Sequence, residues 1–202
     1  MGMPALNRGA FFATVRNRLG TLSQSQVDGL TAVLDAVEHA QLPLSHGAYV
    51  LATPWWETNK TMQPVREAYY ISKTFEGAEA WRKAHLRYYP WYGRGFVQLT
   101  WDFNYQKADD ECAAAGLIKS GEIMANPDLV MCPDIAALIL VDGMRKGWFT
   151  GASLGKCLPP HGVATRDEYM RARTIINGHD KADEIEDFAQ VFERALRDGG
   201  WA

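Results

Sequence analysis

Pro133-Asp134-Ile135-Ala136-Ala137-Leu138-Ile139-Leu140-Val141-Asp142-Gly143-Met144 is the stretch on which the fold turns. Proline fits the first position of a helix, where its missing N–H would have no partner anyway. The body that follows, Ile135 to Met144, is apolar nearly all round, and a helix of that kind belongs inside a core rather than on a surface. Its longest apolar run, Ile135 to Val141, is far shorter than the roughly 18 residues that would read as a membrane span. The expectation is a mainly helical protein built around this element.

Other helices flank it. Ser23-x-x-Gln26 reads as a capping box opening a helix with Val27, Leu30, Leu34 and Val37 on one face. A second helix follows Pro43 and carries Ala48, Leu51, Ala52 and Trp55; Pro54 removes one backbone bond, so this helix should end or kink near Glu57. Thr165-x-x-Glu168 is another capping box, leading into Tyr169, Ala172 and Ile176, with Asn177-Gly178 as a stop. Asp180 is placed to cap a last helix bearing Ile185, Phe188, Phe192 and Leu196. Between about Asn59 and Trp101 the helical period is lost, and Pro90, Gly93 and Gly95 punctuate an aromatic stretch that reads as turns and short strands.

With 202 residues, 47% hydrophobic and 22% charged, the chain has the composition of a globular protein and the length of one domain. Its 21 basic and 24 acidic residues give a net charge of −3, so no overall basic field would draw it to nucleic acid or anionic lipid. The first nine residues show no basic segment followed by an apolar run, so no secretory signal is visible. Cys112, Cys132 and Cys157 form no C-x-x-C pair and read as idle thiols. His39, His46, His85, His161 and His179 include no i, i+4 pair; they read as surface groups, and neither a metal nor another cofactor is implied.

The chemistry concentrates in the irregular stretch. Between Trp55 and Tyr105 lie Trp55, Trp56, Tyr69, Tyr70, Trp81, Tyr88, Tyr89, Trp91, Tyr92 and Trp101, faces that suit sugar rings as well as they suit a core. Two carboxylates interleave with them. Hydrolysis of a glycosidic bond needs one carboxyl held protonated by an apolar setting and a second kept ionised to activate water; with inversion they stand about 6.5–9.5 Å apart. Glu57, after Trp55-Trp56, reads as the acid, and Glu67, after Arg66, as the base, with Glu76 and Glu79 as alternatives for the base.

Trp56-Glu57-Thr58 and the run Trp91-Tyr92-Gly93-Arg94-Gly95-Phe96-Val97-Gln98-Leu99-Thr100-Trp101-Asp102-Phe103-Asn104-Tyr105 resemble the signature of glycoside hydrolase family 19, which includes plant chitinases and phage endolysins. Asn126-Pro127-Asp128-Leu129, Gly143 to Gly151 and Arg173 to Gly178 look like later blocks of its phage branch, and Phe11-Phe12 with Leu22 to Gln26 like its opening helix. The triplet has Trp where His is commoner, and the plant cysteine pattern is absent.

The resemblance spans nearly the whole chain. It implies a mainly α, lysozyme-like α+β single domain over residues 1–202, with a cleft, a small irregular or β insertion and no separate wall-binding domain. It implies an inverting endolysin acting on the β-1,4-linked amino-sugar backbone of peptidoglycan, or a chitinase acting on N-acetylglucosamine polymers; a non-catalytic sugar binder is the third reading. Residue by residue, Glu57 takes the role of acid, Glu67 of base, and Thr100 holds the attacking water. Tyr92, Gln98, Asn104 and Tyr105 would bond to or stack on the sugar chain, and Asn177 with Arg173 would line the far wall. Each has a plainer alternative: Gln98, Asn104 and Asn177 satisfying backbone groups, and Arg94 pairing with either glutamate. The same resemblance implies a monomer held in the bacterial host's cytoplasm until a holin opens the way to the wall, with no nucleic-acid partner and no stable membrane insertion.

Overall fold

The computed structural model describes residues 5–178 and 180–201, so the sequence reading of His179 lies outside the described residues. The chain is mainly helical with one small sheet. In order come α1 (Arg8–Leu19), α2 (Gln24–His39), α3 (Leu44–Glu57), β1 (Val65–Arg66), α4 (Phe75–His85), β2 (Arg94–Gly95), α5 (Asp102–Ala114) and α6 (Glu122–Ala125). A 3-10 helix, Pro127–Met131, leads into α7 (Pro133–Lys146), α8 (Leu154–Cys157) and α9 (Arg166–Ala172); a second 3-10 turn, Arg173–Ile175, precedes α10 (Ala182–Asp198).

Both capping boxes form. The Ser23 hydroxyl accepts from Gln26 N–H and Thr165 from Glu168 N–H, while each partner side chain reaches back to the cap's own N–H. Pro133 opens α7, whose buried residues run from Ile135 to Met144. The most enclosed helix, however, is α3, in which every residue from Leu44 to Trp55 is buried. It packs against α10, which in turn carries α1 and α9, while α2 lies on α7. Trp55 sits between Phe188 and Phe192 of α10, at ring distances of 6.3 and 5.9 Å. Burying each large apolar side chain at such a seam contributes about 1.5–3 kcal/mol relative to exposure.

Four expectations are corrected. The stretch from Asn59 to Trp101 contains a full helix, α4, capped by Thr74; its buried residues are Ala78 and Arg82, and Phe75 at its start stays exposed. Phe11 and Phe12 belong to a separate helix, α1, rather than to the one opening at Ser23. Asp180 does not cap α10: the cap position is Lys181, in the left-handed region and without a side-chain bond. His46 is buried at 7% exposure, with its Nε2 3.4 Å from the Leu158 carbonyl.

The sheet pairs Val65 with Gly95 and Arg66 with Arg94, antiparallel. The loop before it lies tightly on α2: a Cβ at Gly29 would fall 1.8 Å from the Met62 carbonyl oxygen, so only glycine permits that approach. This contact sets where the chain leaves α3 and enters the hairpin.

Candidate functional site

Glu57 is the last residue of α3. Thr58 closes the helix with its own side chain, donating to Pro54 O at 2.7 Å while accepting from Met62 N–H at 2.9 Å. The partial negative charge of a helix C-terminus disfavours a carboxylate there. The offsetting cation comes from 116 residues away: Arg173 Nη1 donates to Glu57 Oε1 at 2.6 Å, and Arg173 Nε donates to Asp180 O at 2.9 Å. Glu57 Oε2 takes part in no hydrogen bond among the described residues, and its side chain keeps 20% exposure.

The indoles do not frame Glu57 as their adjacency in sequence implied. Consecutive helical residues point about 100° apart, and i, i+1 or i, i+2 neighbours do not face one another. Trp55 accordingly packs into the core against α10, and Trp56 is half-buried against the same core.

Glu67 follows β1 and is tied into the hairpin. Its N–H donates to Gly93 O at 2.7 Å, and Gly93 N–H donates back to Glu67 Oε2 at 2.9 Å. Tyr88 Oη donates to Glu67 Oε1 at 2.6 Å. Burial first, then the hydrogen bond and charge of Glu67, push the Tyr88 hydroxyl up to about 12, so it stays a donor at neutral pH. The Tyr88 ring lies 5.0 Å from that of Trp101, which stacks at 6.4 Å on Phe103, 55% exposed.

The turn from Gln98 to Trp101 completes this group. Gln98 Nε2 donates to Val65 O at 3.1 Å, and a Cβ on Gly93 would sit 2.7 Å from Gln98 Oε1, so a larger residue there would push the Gln98 side chain aside. Thr100 Oγ1 donates to Gln98 O at 2.7 Å, leaving its lone pairs to accept. Asn104 Nδ2 donates to Thr100 O at 3.0 Å. Ala68, Gln98 and Trp101 have φ of 55°, 55° and 76°, so strained backbone flanks both Glu67 and Thr100. Such strain persists only where surrounding structure enforces it, and it concentrates at functional sites.

The structure thus gathers the expected residues into two groups. Glu67, Gln98, Thr100 and Asn104 share the hairpin and its turn, with Gln98 and Asn104 each binding a backbone carbonyl, the plainer of their two readings. Glu57 and Arg173 form the other, and Asn177 follows, its N–H donating to Arg173 O at 3.1 Å and its Oδ1 accepting from Gly178 N–H at 2.9 Å. Arg173 is 3% exposed and holds Glu57 instead of lining a wall.

Tyr92 and Tyr105 are fully buried and offer no face to a sugar. The guanidiniums of Arg94 and Arg82 already lie 3.5 and 4.8 Å from the Tyr92 ring centre. Burial, supported by the bond to Glu79 and opposed by Arg94, pushes the Tyr92 hydroxyl up to about 12, and it donates to Glu79 Oε2 at 2.8 Å. Tyr105 Oη donates to Tyr92 O at 2.7 Å. Arg94 pairs with neither catalytic candidate: its Nε donates to Asp128 Oδ1 at 2.8 Å and its Nη1 to Tyr105 Oη at 2.9 Å.

Of the alternative bases, Glu79 is engaged by Tyr92 and by Arg82 at 3.1 Å, whereas Glu76 is exposed in the first turn of α4. Tyr88 and Asp128 are the contributors that sequence reasoning missed as partners. Tyr88 carries no local signal of its role, and Asp128 is visible only as part of the Asn126–Leu129 block. Among the described residues no cluster of three or more metal-ligating side chains forms. No family model, curated protein or solved structure matches the chain.

Proposed function

We propose that the protein is an inverting glycoside hydrolase of the family 19 type, an endolysin cutting the β-1,4-linked amino-sugar backbone of peptidoglycan. The observation that carries this reading is the grip on Glu67, whose two carboxylate oxygens accept from Tyr88 Oη and Gly93 N–H beside a strained turn that presents Thr100. Because the Thr100 hydroxyl proton is spent on Gln98 O, the hydroxyl can only accept from a water. A water giving one hydrogen to Thr100 and the other to Glu67 aims its lone pair outward at an anomeric carbon. As that lone pair attacks, Glu67 takes the water's proton. Glu57, whose Oε2 Arg173 leaves free, serves as the acid that gives a proton to the departing glycosidic oxygen, and the anomeric centre inverts. Tyr88, Trp101 and Phe103 supply the aromatic shelf on which a sugar ring would rest, a role that the resemblance implied for Tyr92 and Tyr105.

The test is digestion of purified sacculi by wild type and by Glu57→Gln, with mass analysis of the released fragments and their reducing ends. Glutamine keeps an acceptor for Arg173, so the fold should persist while release falls by at least about 100-fold, the usual share of general acid catalysis. A Glu57→Gln protein as active as wild type would sink the proposal. Turnover of neutral chitin oligomers but not sacculi would make it a chitinase, and binding without any release would make it a sugar-binding protein.

A further inference from the structure

Next to Glu67 the chain leaves an apolar surface that the chemistry above does not use. Tyr69 is 57% exposed, Tyr70 76%, Ile71 40% and Phe75 52%, so four of the seven large apolar side chains most exposed among the described residues fall in one short segment. A concentrated patch of that kind marks a contact surface. A hollow of about 330 Å³ opens there, walled by Arg66, Tyr69, Lys73, Phe75, Arg82 and Met131 among others.

Three cations and no carboxylate line this hollow, although the chain as a whole has a net charge of −3. The acids that pair with two of them, Asp128 with Arg66 and Glu79 with Arg82, both at 3.1 Å, lie outside its wall. Lys73 is exposed and makes no ion pair among the described residues, and Arg66 Nε is shielded from solvent without a hydrogen-bond partner. The Arg66 guanidinium sits 5.3 Å from the Phe75 ring centre, so cation and apolar surface are presented together. The wall of the hollow is tied to the candidate base through Arg82, whose Nε donates to the Glu67 carbonyl oxygen at 2.7 Å.

We propose that this hollow is a subsite for the carboxylate-bearing peptide side chain of a peptidoglycan strand, an assignment that rests on the glycosidase reading of Glu57 and Glu67. An uncharged chitin strand would bring no carboxylate for Lys73 to pair with, only weaker neutral acceptors. A stem peptide brings carboxylates for Lys73 and Arg66 and alanine methyl groups for Tyr69 and Phe75, and charge-assisted hydrogen bonds of this kind are about twice as strong as neutral ones.

The subsite is tested by titrating wild type and Lys73→Gln with a soluble alanine–glutamate–diamino acid–alanine tetrapeptide and with its fully amidated, neutral counterpart, following backbone amide resonances. Saturable shifts confined to residues 66–82 are expected, with affinity at least about fivefold weaker for the amidated peptide and for Lys73→Gln, consistent with loss of one charge-assisted contact. No binding, equal affinity for the two peptides, or shifts elsewhere would overturn the subsite. In parallel, intact sacculi and strands stripped of peptide are digested. Lys73→Gln should raise KM on intact strands alone. Equal cutting of both by wild type overturns the subsite and leaves the hydrolase standing; failure to cut either removes the glycosidase reading, and the titration still decides the subsite.

Discussion

Arg173 holds Glu57 Oε1 at 2.6 Å and the Asp180 carbonyl at 2.9 Å, with only 3% of its surface exposed. Truncating it strands a carboxylate at a helix C-terminus and a carbonyl without its donor. Breaking a buried ion pair costs about 3–5 kcal/mol, but water reaches Glu57, so about 2–3 kcal/mol is expected for Arg173→Ala in urea unfolding. Arg173→Lys keeps the charge but not a fork that points two ways, and should recover only part of the loss. A stability for Arg173→Ala within about 0.5 kcal/mol of wild type, the range of an ordinary surface substitution, would contradict the positioning role. The residue types at the site were legible in the sequence, but their partners were not. Arg94 finds Asp128 34 residues on and Arg173 reaches back 116 residues, and no local pattern encodes which of several acids a long cation will meet. Only the family resemblance puts Tyr92 and Tyr105 at the sugar chain; aromatic side chains suit a core as well as a sugar, and their burial shows the core use.

The element that carries Glu67 is a sheet of two strands, each two residues long, too small to be stable alone. It is pinned to the 3-10 helix before α7 by Asp128, which accepts from Arg66 Nη2 at 3.1 Å and from Arg94 Nε at 2.8 Å. Burial works against the charged carboxylate, yet the hydrogen bonds and charges of Arg66 and Arg94 prevail and hold Asp128 below its ordinary value. A carboxylate depressed in the folded state adds stability above its unfolded pKa of about 3.9, and that contribution disappears as pH falls through and below this value. Because the side chain keeps 38% exposure, the pair is partly screened, and Asp128→Asn should cost about 0.5–1 kcal/mol at pH 7. Thermal melts from pH 7 to 3 should show the gap between wild type and Asp128→Asn closing at the acid end; a gap that stays constant would count against the pin. The capping boxes of α2 and α9 and the proline-opened apolar run of α7 could be read directly from sequence. α5 buries Asn104 and Asp109 alongside its apolar residues, so hydrophobic period gave no sign of it, whereas α4 does place Phe75, Ala78 and Trp81 at helical spacing and was obscured by the glycines and aromatic turns around it.

For the molecule as a whole, the most amphipathic surface is already spent. α10 alternates Ile185, Phe192 and Leu196 with a charged face, the pattern that elsewhere lies on membranes. Here that apolar face is packed against α3 and α1, and the three side chains have no exposure. The outward face bears Asp183, Glu184, Asp187 and Asp198 against Arg194 and Arg197, an acidic balance that an anionic lipid surface repels, while Glu193 turns inward to accept from Tyr169 Oη at 2.6 Å. Among the described residues no helix is long and apolar enough to cross a membrane. The folded protein should therefore stay in the supernatant when sedimented with vesicles rich in phosphatidylglycerol at low salt, where electrostatic attraction would be strongest. On the endolysin reading the consequence extends to cells. Added from outside, the protein should leave the turbidity of intact Gram-negative cells unchanged and lower it once a chelator has opened the outer membrane. Vesicle binding at low salt that is lost at high salt would mean that a basic surface, the hollow at Lys73 being the foremost, outweighs the acidic face of α10. The Lys73→Gln protein would then identify it by failing to bind.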